Sequence, residues 1–162
     1  MGNGRRTTPE DYAAHVQALE RVQPVDLTAS EIAVRLGATW LPPKIVEQFM
    51  FELFSTSNRS RWNIHVHYFQ YTGEWNVEGK SYDKGNIKAH NTYGTKRING
   101  YQIIEETLNL RDVRIYDYET DHHGNRIPVL NKKETASAQG KQELIKQAFQ
   151  DWIWKDPSAG SG

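Results

Sequence analysis

His65 and His67 lie two apart in an alternating run, so on a strand both imidazoles project to one face and could supply two ligands of a metal site. The side chains that could complete such a site, Asp83, His90, His122 and His123, sit in separate predicted loops. A pair of half-exposed strand histidines is therefore the plainer reading. Glu78-Gly79-Lys80 has the Glu-x-Lys form of many metal-dependent nucleases, in which the acid holds the cation and the lysine steadies the attacked phosphate. Those sites also need an acid upstream on a neighbouring strand. No Asp lies between Asp26 and this triplet, and the Glu residues there fall in helical stretches or at Glu74 in a turn. The sequence thus offers no complete catalytic set and no predicted metal site.

The stretch from Arg59 to Arg97 is the strongest local anomaly. Arg59, Arg61, Lys80, Lys84, Lys88, Lys96 and Arg97 are interleaved with Trp62, Tyr68, Tyr71, Trp75, Tyr82 and Tyr93, and only Glu74, Glu78 and Asp83 oppose them. Cations beside flat rings suit a phosphate-tracking surface, because the cations release counterions and the rings accept unstacked bases. The competing reading puts Trp62, Tyr68 and Trp75 into a hairpin core and leaves the lysines as a solvated loop.

Composition limits the partners. The chain has 162 residues, 37% hydrophobic and 25% charged, with 20 basic and 20 acidic side chains. Any nucleic-acid or membrane site must therefore be local, since global charge is balanced. The absence of cysteine excludes disulfides, thiolate zinc sites and cysteine nucleophiles. With no apolar run long enough to span a bilayer and no apolar leader after Met1, a cytoplasmic location is expected.

The elements that must position these residues follow from spacing. A Gly-rich, basic segment at 1–7 and the linker-like tail at 158–162 flank one α+β domain at 8–157, with a helical annex at 8–56 and a sheet with helices at 57–157. Thr8-Pro9-Glu10-Asp11 starts a helix to about Val22, and the capping-box spacing of Thr28 and Glu31 starts a second that stops at Gly37. A third begins near Pro43 and buries Ile45, Phe49 and Leu53. Although Leu27 to Leu53 has a helix-turn-helix outline, its exposed positions Lys44, Glu47, Gln48 and Glu52 are not basic enough to face phosphates.

Alternation then replaces the helical period. Trp62, Ile64, Val66 and Tyr68 share one strand face, Tyr71-Thr72-Gly73 turns, and Trp75 and Val77 return in a first hairpin. A polar loop spans Gly79 to Gly94, and a helix from Thr95 to about Asn109 carries Ile98, Tyr101, Ile104 and Leu108. Val113 and Ile115 lead through the Asp121 to Asn125 turn to Ile127 and Val129, a second hairpin. Asn131-Lys-Lys-Glu134 caps a long last helix with Ile145, Phe149 and Trp152 as its stripe, leaving Trp154 to another side. The expected architecture is N-terminal helices, two β-hairpins forming a small antiparallel sheet, and a long C-terminal helix packed on it.

Several strings go beyond periodicity: Val22-Gln-Pro-Val-Asp-Leu-Thr-Ala-Ser-Glu-Ile-Ala-Val-Arg-Leu-Gly-Ala-Thr-Trp40, Tyr71-Thr-Gly-Glu-Trp75, Thr92-Tyr-Gly-Thr-Lys-Arg-Ile-Asn99, Leu108-Asn-Leu-Arg-Asp-Val-Arg-Ile115, Leu130-Asn-Lys-Lys-Glu-Thr135 and Gln147-Ala-Phe-Gln-Asp-Trp-Ile-Trp-Lys-Asp156. From about Leu19 to Pro157 the chain resembles the segment that joins an adenine-specific DNA methylase to a Swi/Snf-like DEAD/DEAH-box helicase in very large proteins of phages and conjugative elements. The resemblance implies DNA as the shared substrate, with S-adenosylmethionine and ATP as cofactors of the flanking modules. Neither the Asn-Pro-Pro-aromatic motif of the methylase nor a phosphate-binding Gly-x-x-x-x-Gly-Lys-Thr/Ser loop is present here. No cofactor and no catalytic residue is therefore expected in this chain.

The sequence points to a non-catalytic DNA-engaging module. Arg59, Arg61, Lys80, Lys84, Lys88, Lys96 and Arg97 would hold phosphates, and Tyr71, Tyr82 and Tyr93 would stack on bases. Its alternatives are a structural spacer or protein-interaction domain between enzyme modules, and a small metal-dependent enzyme using the His65 and His67 pair.

Overall fold

The computed structural model describes residues 35–155. The helix expected over 8–22, nearly all of that expected over 28–36, and the segments 1–7 and 158–162 lie outside the described residues. The described elements are α1 (Pro43–Phe54), the one-turn α2 (Asn58–Arg61), β1 (His65–Phe69), β2 (Glu74–Glu78), a π-helical turn (Lys88–Thr92), α3 (Gly100–Leu108), β3 (Tyr116–Thr120), β4 (Arg126–Leu130) and α4 (Lys132–Lys155). This is the expected α+β class, with both antiparallel hairpins and the long last helix. Each hairpin is a separate two-stranded sheet, so the single small sheet drawn from the sequence becomes two.

Local chemistry sets the helix ends. Pro43 opens α1 where its missing N–H costs nothing, and Ser55, at φ 52, closes it with its N–H turned back to Glu52. Asn99 and Gln102 form a reciprocal capping box that starts α3. Ile98 therefore precedes the helix that was expected to contain it, held in a turn by the Thr95 hydroxyl. Asn131 caps α4 by accepting the Glu134 N–H at 2.9 Å.

One apolar core joins α1, the first hairpin, α3 and α4. Phe49, Met50 and Phe54 meet Ile64, Val66, Trp75 and Val77, and Tyr101, Ile104, Ile145 and Phe149 close it, all nearly inaccessible to water. Burying a large side chain of this kind stabilises by about 1.5–3 kcal/mol. Two details differ from the periodicity. Ile45 and Leu53 are only half-buried, because the inward face of α1 is centred on Val46, Phe49, Met50 and Phe54. Trp62 is 80% exposed, because Ser57 caps the short α2 and the chain is still turning at Trp62, with β1 starting at His65. On α4 the buried position after Phe149 is Ile153, while Trp152 lies half-buried against Phe49 with its indole N–H on Glu52 at 2.9 Å.

The sheets stay small because helix side chains occupy the places where further strands would pair. Val66 donates its N–H to Glu47 of α1 at 2.8 Å. On β2, Asn109 takes both the N–H and the C=O of Trp75, at 2.8 and 2.9 Å, and Glu105 accepts the Val77 N–H at 2.9 Å. The extended residues before β3 receive the same treatment from α4. Gln142 accepts the Val113 N–H, Gln139 donates to the Val113 C=O, and Thr135 accepts the Ile115 N–H. Thr135, Gln139 and Gln142 fall four and three apart, which puts them on one helical stripe acting in place of a strand. Gln142, 1% exposed, also donates to Thr107 and to the Arg111 C=O, so it ties α3, α4 and the link between them.

Candidate nucleic-acid interface

The loop after β2 begins at Gly79, whose φ of +80 suits glycine and where any Cβ would collide with the carbonyl of Asn63. That accounts for the middle of Glu78-Gly79-Lys80. Its outer members turn to different partners: Glu78 meets His67 Nε2 at 2.9 Å, and Lys80 donates to Glu105 at 2.8 Å and to the Val77 C=O. The hydrogen bond from His67 holds the Glu78 carboxyl below its ordinary value of 4.5. The triplet is thus a structural corner, and its lysine is neutralised.

Asp83 organises the rest of the loop. It accepts from Ser60 Oγ at 3.2 Å, Asn86 Nδ2 at 2.7 Å and the Tyr101 hydroxyl at 2.8 Å, while its backbone C=O meets His90 Nε2. A carboxylate can only accept, so the Tyr101 proton points to Asp83 and Thr56 must donate to Tyr101 across their 2.7 Å contact. Burial, partly offset by the Thr56 bond and reinforced by Asp83, pushes the Tyr101 hydroxyl far above its ordinary range. Asn86 adds a bond to the Phe54 C=O, and the Ala89 N–H returns to Asn86. The end of α1, the short α2 and the 79–94 loop are therefore locked together.

This frame sorts the predicted cations. The Ser60 bond to Asp83 brings Arg59 beside the segment carrying Tyr82 and Lys84, and Lys88 reaches Ser55 at 3.0 Å. The side chains of Arg59 and Lys84 are exposed and form no ion pair or hydrogen bond with a described residue. Arg61 lies over the Phe51 ring and donates to the Thr56 C=O, so its guanidinium is half spent on the body of the protein. Arg97 pairs with Asp117 at 2.9 Å and with the Tyr116 C=O. Lys96 is exposed at that separate point of the chain, and no bond ties it to the loop frame. Of the seven cations, Arg59, Lys84 and Lys88 therefore sit on segments that the Asp83 and Ser55 bonds tie together.

The rings divide similarly. Tyr82 is 62% exposed next to Lys84 in a shallow groove with Gly79 and Ser81. Tyr93 is half-buried and its ring packs 6.0 Å from Phe54, which removes it as a stacking platform. Tyr71 stands fully exposed at the tip of the first hairpin, where it lines a groove of about 590 Å3 with Trp40 and Phe69. His65 and His67 do face the same side, their rings 6.3 Å apart, but His65 Nε2 contacts the Trp62 C=O. Among the described residues no three His, Asp or Glu side chains gather as a metal site.

Sequence reasoning missed Asp83 as an organiser, because its partners lie at Ser60, Asn86 and Tyr101 and no local pattern links them. It also missed Lys141, which reaches from α4 to the Asn91 and Thr92 carbonyls at the end of the π-helical turn. Among the described residues no helix is long and apolar enough to cross a membrane. No curated protein and no solved structure matches the chain. A family model described as a domain of unknown function, DUF8437, matches residues 35–161, and the chain belongs to that family.

Proposed function

We propose that the chain is a non-catalytic DNA-engaging module that works beside the methylase and helicase modules of a larger DNA-processing protein. Arg59, Lys84 and Lys88 hold backbone phosphates, and Tyr82 stacks on an unpaired base. The observation that supports this reading is the grouping of those three cations around the Asp83 frame, with the Asp83 carboxylate turned toward Ser60, Asn86 and Tyr101. A rigid frame lowers the ordering cost that flexible lysines would otherwise carry into binding.

Three phosphate contacts give a salt dependence with a slope of roughly −2 to −3 in log K against log salt, with little sequence preference. Fluorescence polarization with labelled single-stranded and duplex oligonucleotides reads both. Joint replacement of Arg59, Lys84 and Lys88 by Glu should weaken binding more than tenfold. The control change Lys132→Glu with Lys133→Glu, two charge reversals against three, should leave it nearly unchanged. Equal losses from both sets, or no binding by the unaltered protein at low salt, would end this reading.

The second reading is a protein-interaction domain. It is favoured by one observation, the exposure of large apolar side chains on the second hairpin, Tyr116, Tyr118 and Leu130 on one face and Ile127 on the other, all at least 40% exposed.

A further inference from the structure

We infer that the outer edge of β3 accepts an extended segment of another protein, one in which basic residues alternate with apolar ones. The inference does not depend on the DNA reading.

Hydrogen-bond phase identifies the edge. Around the second hairpin the Asp121 N–H donates to the Asn125 C=O and the Asn131 N–H to the Ile115 C=O, both at 2.8 Å. The register between them pairs Asp117 with Val129 and Glu119 with Ile127. In an antiparallel ladder mutually bonded pairs alternate, so these two pairs bond inward while Tyr116, Tyr118 and Thr120 direct their N–H and C=O groups away from β4. The Tyr116 C=O receives Arg97 from outside, as that phase requires. Tyr118 and Thr120 keep their outward groups without a partner among the described residues.

The other edges are more fully occupied, although Tyr68 of β1 also turns its main chain outward. Glu47 takes the outward Val66 N–H of β1, and Asn109 and Glu105 take the outward groups of β2. On β4 the corresponding outward position opposite Tyr118 is Pro128, which has no N–H to offer. β4 is thereby protected against strand addition in a way that β3 is not. A two-stranded ribbon is marginal in water without a further strand or a helix on its face. This one is exposed along nearly its whole length.

Chemistry selects the occupant. One face of the ribbon carries Tyr116, Tyr118, Pro128 and Leu130, with the Arg126 guanidinium over the Tyr118 ring, and the other carries Asp117 and Glu119 from β3 opposite Val129 and Ile127. The Asp117 carboxylate is engaged by Arg97 and Asn131, whereas that of Glu119 makes no hydrogen bond or ion pair with a described residue. An incoming strand places alternate side chains beside the tyrosines and the intervening ones beside the acids, so apolar and basic residues must alternate along it. A second copy of β3 fits badly, because an antiparallel pairing centred on Tyr118 sets Asp117 against Glu119 of the other copy. Main-chain bonds would give affinity and the acids would give selectivity, as in other strand-addition complexes.

The test uses the whole chain and a labelled short peptide of alternating lysine and valine. Binding should be measurable by polarization and should fall at least tenfold for a glutamate–valine peptide. It should fall as much for a lysine–valine peptide N-methylated at alternate residues, the set that faces the edge. Tyr118→Pro removes the ring and an outward N–H and should also cost at least tenfold, while Tyr118→Thr, which loses the ring but keeps that N–H, should stay within about threefold. Should Tyr118→Pro perturb the hairpin, the N-methylated peptide on the unaltered protein decides the matter. Failure of the lysine–valine peptide to bind, equal binding of the glutamate peptide, indifference to N-methylation, or self-association through this hairpin would overturn the inference.

Discussion

Tyr101 shows how a residue read as core can also be the pivot of a site. Its ring packs edge-on to Phe54 at 4.7 Å, while its hydroxyl stands between Thr56 and Asp83. Tyr101→Phe keeps the packing and strands two partners, of which Thr56 is 3% exposed and least able to find water. The loss expected is about 1–3 kcal/mol, the cost of leaving a buried polar group unmet. Urea denaturation measures it, and amide exchange should rise selectively over residues 80–93. An unchanged exchange pattern with the same loss of stability would mean that Asp83 holds the loop without Tyr101. The apolar side of Tyr101 was legible from helical spacing; the direction of its proton was not, because it depends on an acid 18 positions away.

At the scale of elements, the legible parts were those encoded within a few residues. The two hairpins follow from alternation around Gly73 and Gly124, and the cap at Asn131 from its spacing to Glu134, whereas the cap at Asn99 was not read, since that helix was expected to start at Thr95. The pairing of strands with helix side chains was not legible, because Glu105, Asn109, Gln139 and Gln142 look like ordinary polar faces until their distant partners are known. The second hairpin depends on such a link at its base, where Asn131 Nδ2 donates to Asp117 at 2.8 Å and Arg97 at 2.9 Å. The Asn131 bond first, and Arg97 second, hold the Asp117 carboxyl below its ordinary value of 3.8. A carboxyl depressed in the folded state contributes stability above its unfolded value and loses it as pH falls through the folded one. The base of the hairpin should therefore loosen only below pH 3.8. A carbon-detected titration of Asp117 should show a midpoint under that value, and Arg97→Gln should raise it part of the way back, since the Asn131 bond survives. A midpoint at or above the ordinary value would show that the base is open in solution.

For the whole molecule, the α+β class and the order of the larger described elements could be read in advance, but the short α2, the π-helical turn and the way the surface divides could not. Spacing placed seven cations in one stretch, yet folding sends Lys80 to Glu105 and Arg97 to Asp117 and leaves Arg59, Lys84 and Lys88 around the loop frame. The second hairpin contributes none of those three. Its described hydrogen bonds to the rest of the chain fall at its base, through Arg97 and Asn131. The 2.8 Å bond from Asn131 to Ile115 already brings the two ends of the ribbon together. Replacing residues 116–130 by an Asn-Gly turn should therefore leave the core intact, because a two-residue turn closes on a hydrogen-bonded pair and the Asn131 N–H already meets the Ile115 C=O. Asn131 keeps its cap on Glu134, and the exposed pair lost with Asp117 is worth little. The shortened protein should melt within a few degrees of the full chain and bind DNA no more weakly, with Arg97 released as an added cation. It should at the same time lose all affinity for the lysine–valine peptide. Loss of both activities together would instead mean that DNA and protein partners share the hairpin, and retention of peptide binding would place the strand-accepting edge on the first hairpin, where Tyr68 also directs its main chain outward.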